Sequence, residues 1–100
     1  MKNGLIIDSN GDKYWYENDE LHRIGGPAVE YLNGDKEWWE NDLRHRLDGP
    51  AIECIDGYKS WFQNDFLHND QGPAIEYANG KVAYFLHGKK VDPFDTVTVI

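Results

Sequence analysis

Apolar and polar residues alternate along most of this chain in runs of about five residues, and turn dipeptides cut the runs at even intervals. Around Asn33-Gly34 the runs cover residues 28–32 and 35–40. Asn-Gly is a strong hairpin signal, because a two-residue type I′ turn needs positive φ at both central positions. It recurs as Asn10-Gly11 and Asn79-Gly80, with Asp56-Gly57 in the equivalent place. Eight residues after each comes a second turn candidate: Asn18-Asp19, Asn41-Asp42, Asn64-Asp65 and His87-Gly88. Asn-Asp is the weaker signal, since Asp tolerates positive φ less well than Gly. Gly26-Pro27, Gly49-Pro50 and Gly72-Pro73 then bend the chain, because proline removes a ladder donor. No segment has apolar residues at helical spacing with caps. The pattern predicts an all-β chain: an elongated antiparallel β-meander of hairpins in a single twisted sheet.

The turns mark a 23-residue unit, complete at 10–32, 33–55 and 56–78 and partial at 79–92. Ten columns are identical in all three full copies, including Trp15/Trp38/Trp61 and His22/His45/His68. A fixed period of this length predicts a single repeat domain over 1–100, each unit stacking on the next. A residue that recurs with the unit is first of all scaffold. Residues 93–100 fall outside the repeat, and the alternating stretch 96–100 is expected to cap the array as a last strand. An uncapped edge there would instead offer a site for dimerisation or for strand addition by a partner.

If both turn types are two-residue loops, the faces follow. Val29 then lies opposite Trp38, Tyr31 opposite Lys36 and Trp38 opposite His45. The invariant Trp15, Trp38, Trp61, His22, His45 and His68 fall on one packing face and are expected to be structural. The other face varies: Tyr14 and Tyr16 in the first copy, Glu37 and Trp39 in the second, Ser60 and Phe62 in the third. Opposite these fall Arg46, expected to pair with Glu37, and Arg44, expected to stack on Trp39. Varied aromatics on a fixed scaffold make Tyr14, Tyr16, Glu37, Trp39, Arg44, Arg46 and Phe62 the candidate partner-binding residues. The same register sets Glu30 against Glu37, an unfavourable pair.

Charge narrows the partner. Ten Lys and Arg against 18 Asp and Glu give a net charge of −8, which disfavours nucleic acid or an anionic membrane and favours a basic protein surface. Asp19, Glu20 and Asp42 sit at turns along one rim and join the candidate binding residues. Cys54, the one cysteine, excludes an intrachain disulfide and fills a column otherwise held by Tyr31 and Tyr77. No zinc-ligand pattern is present. The His and Glu ladders invite a catalytic or metal reading. A unit that adds two strands, however, separates equivalent positions by ~10 Å, too far for shared metal ligation or a paired-carboxylate hydrolase. Neither a metal, a cofactor nor an enzymatic activity is expected. The N-terminus lacks a secretory pattern and no stretch is apolar enough to span a membrane, so the cytoplasm is the expected location.

The units Trp15-Tyr16 to Ala28, Trp38-Trp39 to Ala51 and Trp61-Phe62 to Ala74 resemble the bacterial and phage-borne MORN-like repeat, roughly W-Y-x-N-G-x-x-H-R-x-D-G-P-A. The resemblance covers residues 10–92. It departs from the family where Asn-Asp replaces Asn-Gly and in lacking the glycine-rich spacing of the lipid-associated eukaryotic repeat. It implies an elongated antiparallel sheet and a protein-interaction role, with no catalytic residue to carry over. With size and charge, it leads us to expect a small acidic phage or mobile-element inhibitor, of the anti-defence or anti-CRISPR type. Such a protein would cover a basic nucleic-acid-binding surface of a host complex. A nucleotide-like ligand held between aromatic faces, or a toxin-neutralising immunity role, are the alternatives, and a homodimer through an edge strand or sheet face fits either.

Overall fold

A computed structural model describes residues 1–93; the expected capping strand at 96–100 lies outside the described residues. The chain is all β, as its pattern predicts, and its sheet is open rather than closed into a barrel. It is elongated, 57 × 28 × 18 Å. The strands are β1 Gly4–Ile7, β2 Lys13–Glu17, β3 Glu20–Leu21, β4 Val29–Glu30, β5 Lys36–Glu37, β6 Trp39–Glu40 and β7 Leu43–Arg44. There follow β8 Ile52–Glu53, β9 Lys59–Ser60, β10 Phe62–Gln63, β11 Phe66–Leu67, β12 Ile75–Glu76, β13 Val82–Leu86 and β14 Lys89–Val91. The main sheet runs β1-β2-β4-β5-β8-β9-β12-β13-β14, every pairing antiparallel, with β3 beside β2.

The Asn-Gly turns are not two-residue loops. The Gly34 N–H donates to Tyr31 O (2.9 Å) and the Tyr31 N–H to Asp35 O (2.9 Å), closing a three-residue loop. Only Gly34 has positive φ (102°), while Asn33 stays in ordinary space. This is a type I turn followed by a left-handed glycine, which Asn-Gly serves as well as it serves type I′. The same two bonds recur at Gly11, Gly57 and Gly80. The extra residue shifts the register by one, so that Val29 lies opposite Glu37 and Glu30 opposite Lys36. The expected Val29–Trp38 pairing is therefore replaced, and the Glu30–Glu37 conflict disappears.

The Asn-Asp turns are the two-residue loops. Asn41 (φ 51°) and Asp42 (φ 63°) both take the left-handed conformation, and the other two copies match them. Here the expected register holds: Trp39 lies opposite Arg44 and the His45 N–H donates to Trp38 O (3.1 Å).

Two rows of side chains cross the main sheet. One reads Tyr14, Val29, Glu37, Ile52, Ser60, Ile75, Ala83. The other, on the opposite face, reads Lys13, Glu30, Lys36, Glu53, Lys59, Glu76, so that opposite charges alternate on neighbouring strands. Burial is sparse and repeats with the unit: Ala28, Ala51 and Ala74 are sealed, and Val29, Ser60, Phe62, His68 and Ile75 complete the buried set among the described residues.

After Trp15, Trp38 and Trp61 the chain enters the Asn-Asp hairpins, which join into a second ladder. The Asp42 N–H donates to Leu21 O (3.0 Å) and the Arg23 N–H to Trp39 O (3.2 Å); the Asp65 N–H to Arg44 O (2.8 Å) and the Arg46 N–H to Phe62 O (3.1 Å) repeat the link one unit on. The invariant histidines fasten the same junction. Nδ1 of His22, His45 and His68 accepts the backbone N–H of Asn41 (3.1 Å), Asn64 (3.0 Å) and His87 (2.9 Å) respectively. Each turn of one unit is thus hung on the histidine of the unit before. Expected near the Gly-Pro corner, the rings instead bind the next turn through their Nδ1 atoms.

Residues 1–3 make for the first Asn-Asp turn the bonds that later turns receive from the unit before. Asn3 Oδ1 accepts the Asn18 N–H (2.8 Å) and Lys2 O accepts the Asp19 N–H (2.9 Å). These are the bonds that His22 Nδ1 and Leu21 O make one unit later.

Candidate protein interface

The Asn-Asp turns line one exposed rim of the molecule. Glu17, Asp19, Glu20, Asp42 and Asp65 are all exposed there. The turn aspartates are tied inward: Asp42 Oδ1 accepts the Leu21 N–H (2.6 Å) and Asp19 accepts the Lys2 N–H. Asp65 Oδ1 accepts from Arg44 Nε (2.6 Å), and that hydrogen bond holds its carboxyl below the usual carboxylate range. Elsewhere Asp12 and Asp35 accept the N–H of Leu32 (2.8 Å) and Ile55 (2.9 Å). Much of the acidity therefore serves the backbone, a role that charge counting does not reveal. Glu20 and Glu40 differ: among the described residues their side chains have no hydrogen bond or ion pair, which leaves their charge available. The rim changes character at the fourth turn, where exposed Lys89 and Lys90 replace the acids.

The varied face is more closed than a free binding surface. Phe62 is 8% exposed and Ser60 is sealed, its Oγ without a hydrogen-bond partner among the described residues. Arg44 lies over the Trp39 ring at 5.8 Å, the expected contact, and closer to the next unit's Phe62 ring, at 4.1 Å. Glu37 accepts from Trp39 Nε1 (2.8 Å) and Tyr31 OH (3.3 Å) rather than from Arg46. Burial, with Glu37 beside it, pushes the Tyr31 phenol up to about 12. Tyr14 lies between Tyr16 and Tyr31, each 6.5 Å away between ring centres. Tyr14, Tyr16, Glu37, Trp39, Arg44 and Phe62 thus do come together on one side, half-buried except for Phe62.

Arg46 belongs to the opposite side. Its guanidinium lies 3.8 Å from the Trp38 ring centre, donates to Pro50 O (3.0 Å) and faces Asp48 (3.1 Å) and Glu53 (3.6 Å). The Asn41-Asp42 hairpin pairs only as far back as Trp38 and His45; beyond it Glu37 stays in the main sheet between Val29 and Ile52 while the Arg46 N–H donates to Phe62 O, so the two part. Arg23 repeats the arrangement on Trp15, Pro27 O and Glu30, and Asn69 keeps only the bond to Pro73 O. Between the first two Gly-Pro corners a cleft of about 390 Å³ opens, walled by Arg23, Trp38, Glu40, His45, Arg46 and Leu47. Sequence reasoning missed this cleft, because it lies between units and no single unit contains it.

Among the described residues no three His, Cys, Asp or Glu side chains converge on a common metal-binding point. Burial, with Asp35 and Asp56 nearby, pushes the Cys54 thiol up, away from thiolate reactivity. No helix of the described residues is long and apolar enough to cross a membrane. No family model, curated protein or solved structure matches the chain.

Proposed function

We propose that this chain is a non-catalytic protein-interaction module that covers a basic surface on its partner. The reading that best unites its size, its charge and the MORN-like resemblance of its units is an inhibitor from a phage or mobile element. It would occupy the nucleic-acid-binding surface of a host complex. The observation that carries the reading is the rim of Asn-Asp turns, where Glu17, Asp19, Glu20 and Asp42 are exposed along one side of a hydrogen-bonded array. Fixed turns hold their charges at set intervals, so association gains electrostatic steering at little cost in backbone ordering. Immobilised protein should capture a specific bacterial protein with a basic surface, and the capture should weaken steeply between about 0.1 and 0.5 M salt, as the Debye length shrinks from ~10 Å. Capture of nothing specific at moderate salt, or capture indifferent to salt, contradicts the reading.

The cleft walled by Arg23, Trp38, His45 and Arg46 favours a second reading, sequestration of a small planar anion such as a nucleotide. Native mass spectrometry of freshly purified protein tests it through a retained ligand mass.

A further inference from the structure

Strand β1 ends the main sheet, and all four of its residues, Gly4, Leu5, Ile6 and Ile7, are exposed. Natural edge strands usually carry a charge, a proline or a bulge that blocks further pairing. This one carries none, in a chain whose net charge is −8.

The direction of its backbone groups follows from its neighbour. Leu5 lies opposite Trp15. The Trp15 N–H donates to Ala28 O (2.8 Å) and Trp15 O accepts the His22 N–H (3.0 Å), so both groups of Trp15 point away from β1. Leu5 and Trp15 are therefore a non-hydrogen-bonded pair, and Leu5 turns its own N–H and C=O outward. By alternation Ile6 faces β2 and Ile7 faces outward again. Among the described residues nothing pairs with this outer side.

We propose that β1 is a self-association edge, on which two copies of this chain pair β1 to β1 in antiparallel fashion about a twofold axis through Ile6. In that register Leu5 of one copy and Ile7 of the other stand opposite each other and exchange both backbone bonds. Symmetry repeats the exchange, which gives four hydrogen bonds around a central Ile6–Ile6 pair. Directly opposite residues share a face, so the two sheets continue as one. Gly4 meets Asp8, so no like charges oppose each other. Registers that shift one copy by a single residue would set outward groups against inward ones.

A head-to-tail array is the competing arrangement, with the other end of the main sheet, at β13 and β14 of one copy, continuing β1 of another. The lead-in opposes it. A preceding unit would need to deliver its own carbonyl and acceptor to Asp19 N–H and Asn18 N–H, and Lys2 O and Asn3 Oδ1 already hold both. The assembly therefore closes at two copies.

Light scattering on the full chain across about 10 µM to 1 mM should follow a monomer–dimer equilibrium that goes no further. Ile7→Pro removes an outward donor while sparing the bonds to β2, and Ile6→Lys sets two ammonium groups face to face on the axis. Each should raise the dissociation constant at least tenfold, with the circular dichroism spectrum kept. In a Cys54→Ser background, Ile6→Cys should form an interchain disulfide on mild oxidation, since Cα atoms ~4.5 Å apart across such a pair suit the bond. Leu5→Cys, set opposite Ile7 and not itself, should not. A chain that stays monomeric to ~1 mM, masses that climb beyond two copies, or equal cross-linking at both positions would each overturn the proposal.

Discussion

Replacing His68 with alanine tests how the units are joined. His68 is buried, its Nδ1 accepts the His87 N–H at 2.9 Å, and its ring lies 4.4 Å from the His87 ring. Truncation leaves that N–H without its acceptor and removes the ring contact. The bond is part-buried and the ring that makes it is buried, so losing the bond and the ring contact together costs about 1–3 kcal/mol. For a domain of this size each kcal/mol moves the melting temperature by ~4–8 °C, so His68→Ala should melt on the order of 5–20 °C lower. Two further variants separate the bond from the packing. Asparagine carries its oxygen on Cγ, where histidine carries Nδ1, and Asn3 already makes this bond to the first turn. His68→Asn should therefore recover much of the loss, while His68→Phe, which fills the space without an acceptor, should not. Thermal melts followed by circular dichroism give the ranking, and amide exchange at residue 87 reads the bond itself. A His68→Ala protein within ~0.3 kcal/mol of the original, or Phe restoring stability as well as Asn, would refute the reasoning.

Three other outcomes follow from the same geometry. The Asp65 carboxyl is held low by Arg44, so the stability it adds is present above the unfolded carboxylate range near ~3.9 and is lost as pH falls through its lower native value. Because the pair is partly exposed, the urea-midpoint difference between the original and Asp65→Asn should stay under ~1 kcal/mol above about pH 5 and vanish in acid. Gly34→Ala should cost at least ~1 kcal/mol, since φ is 102° and the new Cβ would meet Ile55 Cγ2 at 2.8 Å; an unchanged melt would contradict the three-residue turn. Cys54 should react with a thiol reagent at pH 8 far more slowly in the native protein than in urea, because burial raises its pKa; equal rates would contradict the packing at its column.

The periodicity of the chain made the all-β meander and the place of every turn legible, because Asn-Gly, Asn-Asp and Gly-Pro each restrict the backbone locally. The loop length at Asn33-Gly34 was not legible. Asn-Gly satisfies both a type I′ turn and a type I turn closed by a left-handed glycine, and the two differ by one residue. That residue decided whether Val29 lay opposite Trp38 or Glu37. The unfavourable Glu30–Glu37 pair was the sign in the sequence that the two-residue loop was wrong. The histidine staples were hidden differently. Each joins residues 19 apart in successive units, and their trace in the sequence is that His and the Asn-Asp turn are both invariant. Residues 1–3 share no repeat motif, so their part as a substitute for a preceding unit emerged only from the bonds they make. The cleft between Gly-Pro corners is likewise a property of two neighbours, not of one unit.

The acidic residues divide into those that hold the array and those free to meet a partner. Charge reversal at a free one tests that division directly. Glu20→Lys, assayed for partner capture at low salt alongside a thermal melt, should weaken capture several-fold and leave stability within ~0.5 kcal/mol. Capture unchanged by this reversal, in a protein that still folds, would contradict the claim that this rim is the binding surface.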